Sequence, residues 1–160
     1  MLAALFIALS FVGSNVKVMG TIAFDSLPAF FGALLLGPAY GALIGLLGHL
    51  FSALLSGFPF GLPTHAVIAA GMALTMLCFG YTYRRLLKRV SVLFNLIVTG
   101  IVGLVLNGPV LLCLTVPLIG TAMAVSLAPA LILAAAANIA AAVLLFRGFE
   151  YGKQLQIFHK

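Results

Sequence analysis

Acidic side chains are almost missing from this chain: Asp25 and Glu150 are the only two among 160 residues, against eight Lys and Arg, and there is no tryptophan. Charged residues make up 6% of the sequence, where a soluble domain has roughly 25%. Two carboxylates leave little for acid–base chemistry. HExxH, GxSxG and phosphate-binding P-loop patterns are also absent, so an enzyme is not expected and the chain cannot hydrolyse ATP by itself. Cys78 and Cys113 stand alone in apolar segments, without CxxC or Cys/His spacing, and read as packed thiols. His49, His65 and Asp25 are ligand types for transition metals, yet their spacing matches no metal signature. No metal and no cofactor is expected.

What is abundant is apolar surface: 64% of residues are hydrophobic and the mean hydropathy is +1.31. At roughly 20 residues per spanning helix, the length suits one integral membrane domain over residues 1–160 with about six short spans. A barrel would alternate apolar and polar residues, whereas residues 131–146 are apolar on every face. The expected fold is therefore all-α, a polytopic bundle of six transmembrane helices. The net charge of +6 is confined to short clusters beside apolar runs, which suits loops at a membrane face rather than nucleic-acid binding. The start, MLAALFIALSFVGS, has no basic n-region and reads as a retained first helix rather than a cleaved leader.

The spacing predicts a first helix over residues 1–16, with Ala4 and Ala8 at i, i+4 forming, with Ala3, a smooth strip for close helix approach. A loop over residues 19–26 leads to a short second helix, 27–36, which Asp25 or Ser26 is placed to cap and which Gly37-Pro38 ends. The third helix, 39–56, carries Gly41, Gly45 and Gly48; with Gly37 these make two overlapping GxxxG units. Gly57-Phe58-Pro59-Phe60-Gly61-Leu62-Pro63 reads as a rigid apolar loop. The fourth helix, 64–83, starts at a candidate cap, Thr64, and stops at Arg84-Arg85-Leu86-Leu87-Lys88-Arg89. The fifth, 91–114, is interrupted at Asn107-Gly108-Pro109. A turn near residues 117–120 precedes a sixth helix to 146, and the tail, RGFEYGKQLQIFHK, is polar.

Arg84, Arg85, Lys88 and Arg89 follow the fourth helix, and Arg147, Lys153 and Lys160 follow the sixth, so seven basic residues share a face against Lys17 alone on the other. The positive-inside rule makes that face cytoplasmic. Both termini are then expected in the cytoplasm, with Lys17, Asp25 and the Phe58–His65 loop on the outer side of a bacterial plasma membrane.

Residues 24–65 hold most of the informative polar groups. Asp25 is expected at the outer membrane edge, as a functional carboxylate or as a helix cap facing water. His49 falls about ten residues into the third helix, near mid-membrane at 1.5 Å per residue, where it either bonds a backbone carbonyl or contacts a ligand. His65 stands at the outer end of the fourth helix beside the Phe loop. Phe58 and Phe60 either stack on a planar ligand or pack the loop. Asn107, at the proline break, is a candidate ligand hydrogen-bonder, whereas Asn95 and Asn138 read as glue between helices. Convergence of Asp25, His49, Phe58, Phe60, His65 and Asn107 on one side matches a small-molecule pocket, which is mostly apolar with a few placed polar groups.

The AxxxA spacing of Ala4 and Ala8, the stretch FDSLPAFFGALLLGPAYGALIGLLGHL with its P, LGP and GxxxG succession, and about six very apolar helices together resemble the substrate-binding S components of energy-coupling factor (ECF) vitamin transporters. GHLFSALLSGFPFGLPTH looks most similar to members assigned to cobamide precursors, particularly α-ribazole. The resemblance implies a membrane subunit that captures a vitamin or precursor outside and docks, through Ala4 and Ala8, on a transmembrane coupling subunit driven by two ATPases. It implies that Phe58 and Phe60 stack on the ligand base while Asp25, His65 and Asn107 meet its hydroxyls; riboflavin would fit almost as well. The sixth helix departs from members that place several ligand contacts there. A self-sufficient proton-coupled secondary transporter using Asp25 or His49 is the alternative, although no inverted repeat is visible. A ligand-free structural subunit is a third reading.

Overall fold

The computed structural model describes residues 1–15, 17–18, 22–23 and 25–158. In chain order the elements are α1 (Leu2–Asn15), β1 (Lys17–Val18), β2 (Ile22–Ala23), α2 (Leu27–Leu35), α3 (Pro38–Leu55), α4 (Gly61–Leu86), α5 (Val92–Val105), α6 (Leu111–Ile119) and α7 (Thr121–Phe158). A π-helical turn, Leu106–Val110, joins α5 to α6, so the helices form six rods. Four of these, Pro38–Leu55, Gly61–Leu86, Val92–Ile119 and Thr121–Gly152, are long and apolar enough to cross a membrane, whereas α1 is a shorter apolar helix and α2 has nine residues. The two short strands pair antiparallel, Lys17 with Ala23 and Val18 with Ile22, within the expected loop. Val16, Met19, Gly20, Thr21, Phe24, His159 and Lys160, which the sequence reading put in the first helix, that loop and the tail, lie outside the described residues.

The α2–α3 hairpin shows what the glycines do. Gly37 has φ +113°, a conformation that side chains other than hydrogen rarely adopt, and a Cβ there would run into the Arg84 guanidinium. Arg84 Nη2 in turn donates to the Leu36 carbonyl at 3.5 Å, meeting one of the oxygens that the end of a helix leaves free. Four residues on, a Cβ at Gly41 would stand 2.7 Å from the Ala33 Cα. The GxxxG spacing therefore brings α3 against α2 of the same chain, backbone to backbone. Around this hairpin the core closes on Phe30, Ile44, Met76 and Phe79, all fully buried. The Phe30 and Phe79 rings meet edge to face at 4.9 Å.

Polar residues inside the bundle tie helices together. Asn95 Nδ2 donates to the Tyr83 carbonyl at 3.0 Å and Asn95 Oδ1 accepts from Thr99 Oγ1 at 3.0 Å, joining α5 to the end of α4. Asn138 Oδ1 accepts from the Leu27 amide, joining α7 to the start of α2. Both asparagines serve as the glue their sequence positions suggested.

Several local expectations are corrected. The α4 helix begins at Gly61 rather than Thr64, because Pro63 falls in its first turn, where a missing N–H costs no intrahelical bond. Thr64 is accordingly no cap: its Oγ1 donates to the Phe60 carbonyl at 2.7 Å. Ser26 occupies the cap position of α2 without a side-chain cap bond, and Asn138 does that work instead. The expected interruption at Asn107-Gly108-Pro109 takes the form of the π turn, but the fifth rod continues beyond residue 114 to Ile119. The polar tail is helical to Phe158, since RGFEYGKQLQ contains good helix formers whatever its polarity. Cys78 is half-buried, but Cys113 is exposed on the lateral surface, not packed.

Candidate functional site

Two of the cavities among the described residues have contrasting linings. The larger, about 540 Å³, lies between α5 and α7 and is walled by aliphatic residues such as Leu93, Ile97, Ile101 and Val143, with Arg147 at one end. Such a surface offers contact to lipid tails and almost nothing to orient a ligand. The smaller, about 260 Å³, is enclosed by α3, α4, the π turn, α6, α7 and the residues leading into α2. Asp25, Ser26, His49, Thr64, His65, Asn107 and Thr115 face it, among Met72, Leu111, Leu131 and other apolar groups. An apolar chamber with a few convergent polar groups has the composition of a ligand site. We take the smaller chamber as the candidate site for that reason, despite its size.

Phe60 and Thr64 from the start of α4, Ile119 from the end of α6 and Leu127 from the first turns of α7 line one end of the chamber. The opposite end reaches Asp25 and Ser26. Here the expected position of Asp25 is overturned. The α2 helix is nine residues long, roughly 13 Å, and its far end turns at Gly37 beside Arg84. The 26 residues of α4 run about 39 Å, so Asp25 lies well within the bundle and not at its edge. Asp25 and Ser26 line the chamber, and the Leu27 amide that follows them donates to Asn138 Oδ1 of α7, which fixes the start of α2.

On the wall, His49 Nε2 and His65 Nδ1 are 3.1 Å apart and form a hydrogen bond whose direction depends on the tautomers. Their rings stack at 5.3 Å between centroids. Phe58 meets His65 edge-on at 5.7 Å and Phe60 lies tilted over it at 6.3 Å. Phe58 adopts φ +49°, uncommon for a bulky residue, and in doing so the loop turns its ring down onto His65. Among the described residues no three His, Cys, Asp or Glu side chains gather as they would around a metal ion.

Of the six residues singled out in the sequence, the structure brings Asp25, His49, Phe60, His65 and Asn107 to one chamber, and Phe58 packs behind His65 without lining it. Ser26, Thr64 and Thr115 also face it and were not singled out. Ser26 and Thr64 had read only as caps, and Thr115 carries no signal beyond a hydroxyl in an apolar run. The α7 wall, formed by Leu127, Leu131, Ala134 and Ala135, is apolar, as its sequence requires.

A family model described as "ECF transporter, substrate-specific component" matches residues 1–150. The chain belongs to this family. No curated protein and no solved structure matches it. As an ECF substrate-specific component it is a membrane substrate-binding subunit of a transporter, not an enzyme, and its apolar helices suit a multi-pass membrane protein. The chamber lined by His49, His65, Asp25 and Asn107 is the candidate site in this member of the family.

Proposed function

We propose that this substrate-specific component binds a vitamin precursor built on a flat heterocycle, with α-ribazole the first choice, and delivers it through a transmembrane coupling subunit driven by two ATPases. The observation that carries the reading is the chamber: about 260 Å³, just below the range of roughly 300 to 1,000 Å³ usual for ligand pockets. That volume suits a heterocycle with one sugar and is far too small for an intact corrinoid. The Phe60 ring offers a face to a planar base, and Asp25, His65 and Asn107 offer polar partners to it.

The chamber mouth at Phe60 and Ile119 lies at the opposite end of α4 from Arg84 and Arg85. By the positive-inside rule the arginines are cytoplasmic, so the mouth opens outward and both termini lie inside. Ala4 and Ala8 are exposed on α1, on the side away from the buried Phe6 and Ser10, which leaves the small-residue strip accessible to a coupling subunit.

The test is thermal stabilisation of the purified chain in detergent against α-ribazole, riboflavin, folate, pantothenate and cobalamin. A ligand at 100 times its dissociation constant adds about 2.7 kcal/mol. Stabilisation by α-ribazole and not by cobalamin is the expected result; stabilisation by cobalamin, or by none of the panel, overturns the reading.

A further inference from the structure

Three buried side-chain polar atoms have no hydrogen-bond partner among the described residues: Ser10 Oγ, Ser52 Oγ and His65 Nε2. Of their residues only His65 lines the chamber. It is 6% exposed, so bulk water does not solvate it freely, and an unmet nitrogen in such a place is costly. Its other nitrogen, Nδ1, is engaged by His49 Nε2. A neutral imidazole carries one donor and one acceptor. If His49 donates to Nδ1, the His65 proton sits on Nε2; if His65 donates from Nδ1, Nε2 is a bare acceptor. In both cases His49 decides what His65 shows to the chamber.

We propose that His65 Nε2 is the specificity-determining contact of this site, bonding a ring-edge nitrogen or oxygen of a planar heterocycle, and that His49 is a positioning residue that holds the His65 ring and sets its tautomer. The geometry supports a planar partner. The Phe60 ring is inclined only 31° to the His65 ring, while the Phe58 ring stands steeply against His65 at 5.7 Å. A ligand lying flat against Phe60 therefore brings its edge, and not its face, toward the imidazole nitrogen. Moving one proton from His65 Nε2 to His49 Nδ1, with the shared proton crossing the 3.1 Å contact, exchanges the two neutral states without changing the charge of the pair. The dyad thus answers an acceptor ligand in one tautomer and a donor ligand in the other. This rests on the chamber being the ligand site.

The experiment separates ligand reading from helix pairing. Asn at position 65 keeps a polar group near Nδ1, facing His49, and deletes Nε2; Gln reaches the Nε2 position and gives up Nδ1. Binding of α-ribazole is measured by titration calorimetry on the full chain in detergent, with melting temperature as the check on folding. His65→Asn is expected to weaken binding about 10- to 100-fold and His65→Gln by no more than about threefold. The reverse order overturns the proposal, because it would mean that His65 serves only to hold α3 against α4. His49→Phe should weaken binding and give mixed His65 tautomers in the ¹⁵N spectrum of histidine-labelled protein; an unchanged His65 spectrum refutes the positioning role. If α-ribazole binds without moving the His65 ¹⁵N signals, the dyad proposal fails while the ligand assignment stands. If riboflavin binds instead and moves them, the α-ribazole assignment fails and the dyad stands. If no panel member moves them, the dyad proposal is overturned.

Discussion

The backbone amide of Leu27 donates to Asn138 Oδ1 at 2.8 Å, across 111 residues of sequence. Asn138 Nδ2 at the same time donates to the Ala134 carbonyl one turn back on α7, also at 2.8 Å. The amide so engaged follows directly on Asp25 and Ser26. The depth of the chamber floor is thereby set by a side chain from the last helix. Replacing Asn138 with Leu leaves the Leu27 amide unmet inside the bundle, at a cost of about 1–3 kcal/mol. A lowered melting temperature together with weakened ligand binding is expected; an unchanged melting temperature would show that this bond does not hold the start of α2.

The close approach of α2 and α3 makes a second prediction. Gly41→Val places atoms where the Ala33 backbone stands 2.7 Å from even the first added carbon, and overpacking of this kind costs about 1–3 kcal/mol. Gly148→Ala meets nothing within 4 Å and replaces a poor helix former in α7, which should raise stability by about 0.5–1 kcal/mol. Paired thermal melts test both, and equal effects would refute the packing argument.

Two polar chamber residues on the fifth rod should behave differently. Thr115 Oγ1 already donates to the Leu112 carbonyl at 2.7 Å, so Thr115→Val removes little that a ligand could use, and binding should change by less than about threefold. Asn107 faces the chamber from the π turn, and Asn107→Leu should weaken binding about tenfold or more. Calorimetric titration of the two variants decides, and the opposite order would remove Asn107 from the site.

Ala4→Leu combined with Ala8→Leu adds bulk only to the exposed side of α1. Ligand binding by the isolated chain should persist, while uptake by cells carrying the complete transporter should fall to background. Loss of binding in the isolated chain would show that the strip is part of the fold and not a docking surface.

The six rods were legible because each is an apolar run ended by Gly-Pro, an arginine cluster or a turn signal, and such breaks need no tertiary information. The start of α4 was misjudged because Pro63 reads as a breaker in a string, whereas its effect depends on which turn of a helix it occupies. The extent of α7 was misjudged because apolarity reports the bilayer, while helix propensity continues through RGFEYGKQ. Five of six candidate site residues converge because polar groups in so apolar a chain are few. The placing of Asp25 was not legible: the start of α2 is held by Asn138 of α7, more than a hundred residues later, and nothing in the neighbourhood of Asp25 announces that bond. The His49–His65 pair was equally hidden, since the two stand 16 residues apart on different helices and their facing depends on how α3 and α4 cross.

The π turn at Leu106–Val110 has a consequence for chain length. A π turn is an α turn that has swallowed one extra residue, so the helices on either side keep the mutual phase of an uninterrupted rod. Deleting Pro109 would leave a plain α-helix with Leu111 and Thr115 still facing inward. A one-residue deletion in α5 would rotate everything beyond it by about 100° and bring Cys113 to the chamber-lining place of Leu112. The rod is therefore tolerant of losing one residue at its Asn-Gly-Pro segment and intolerant of the same loss in α5, and a shortening there would trade away only the wide turn that presents Asn107.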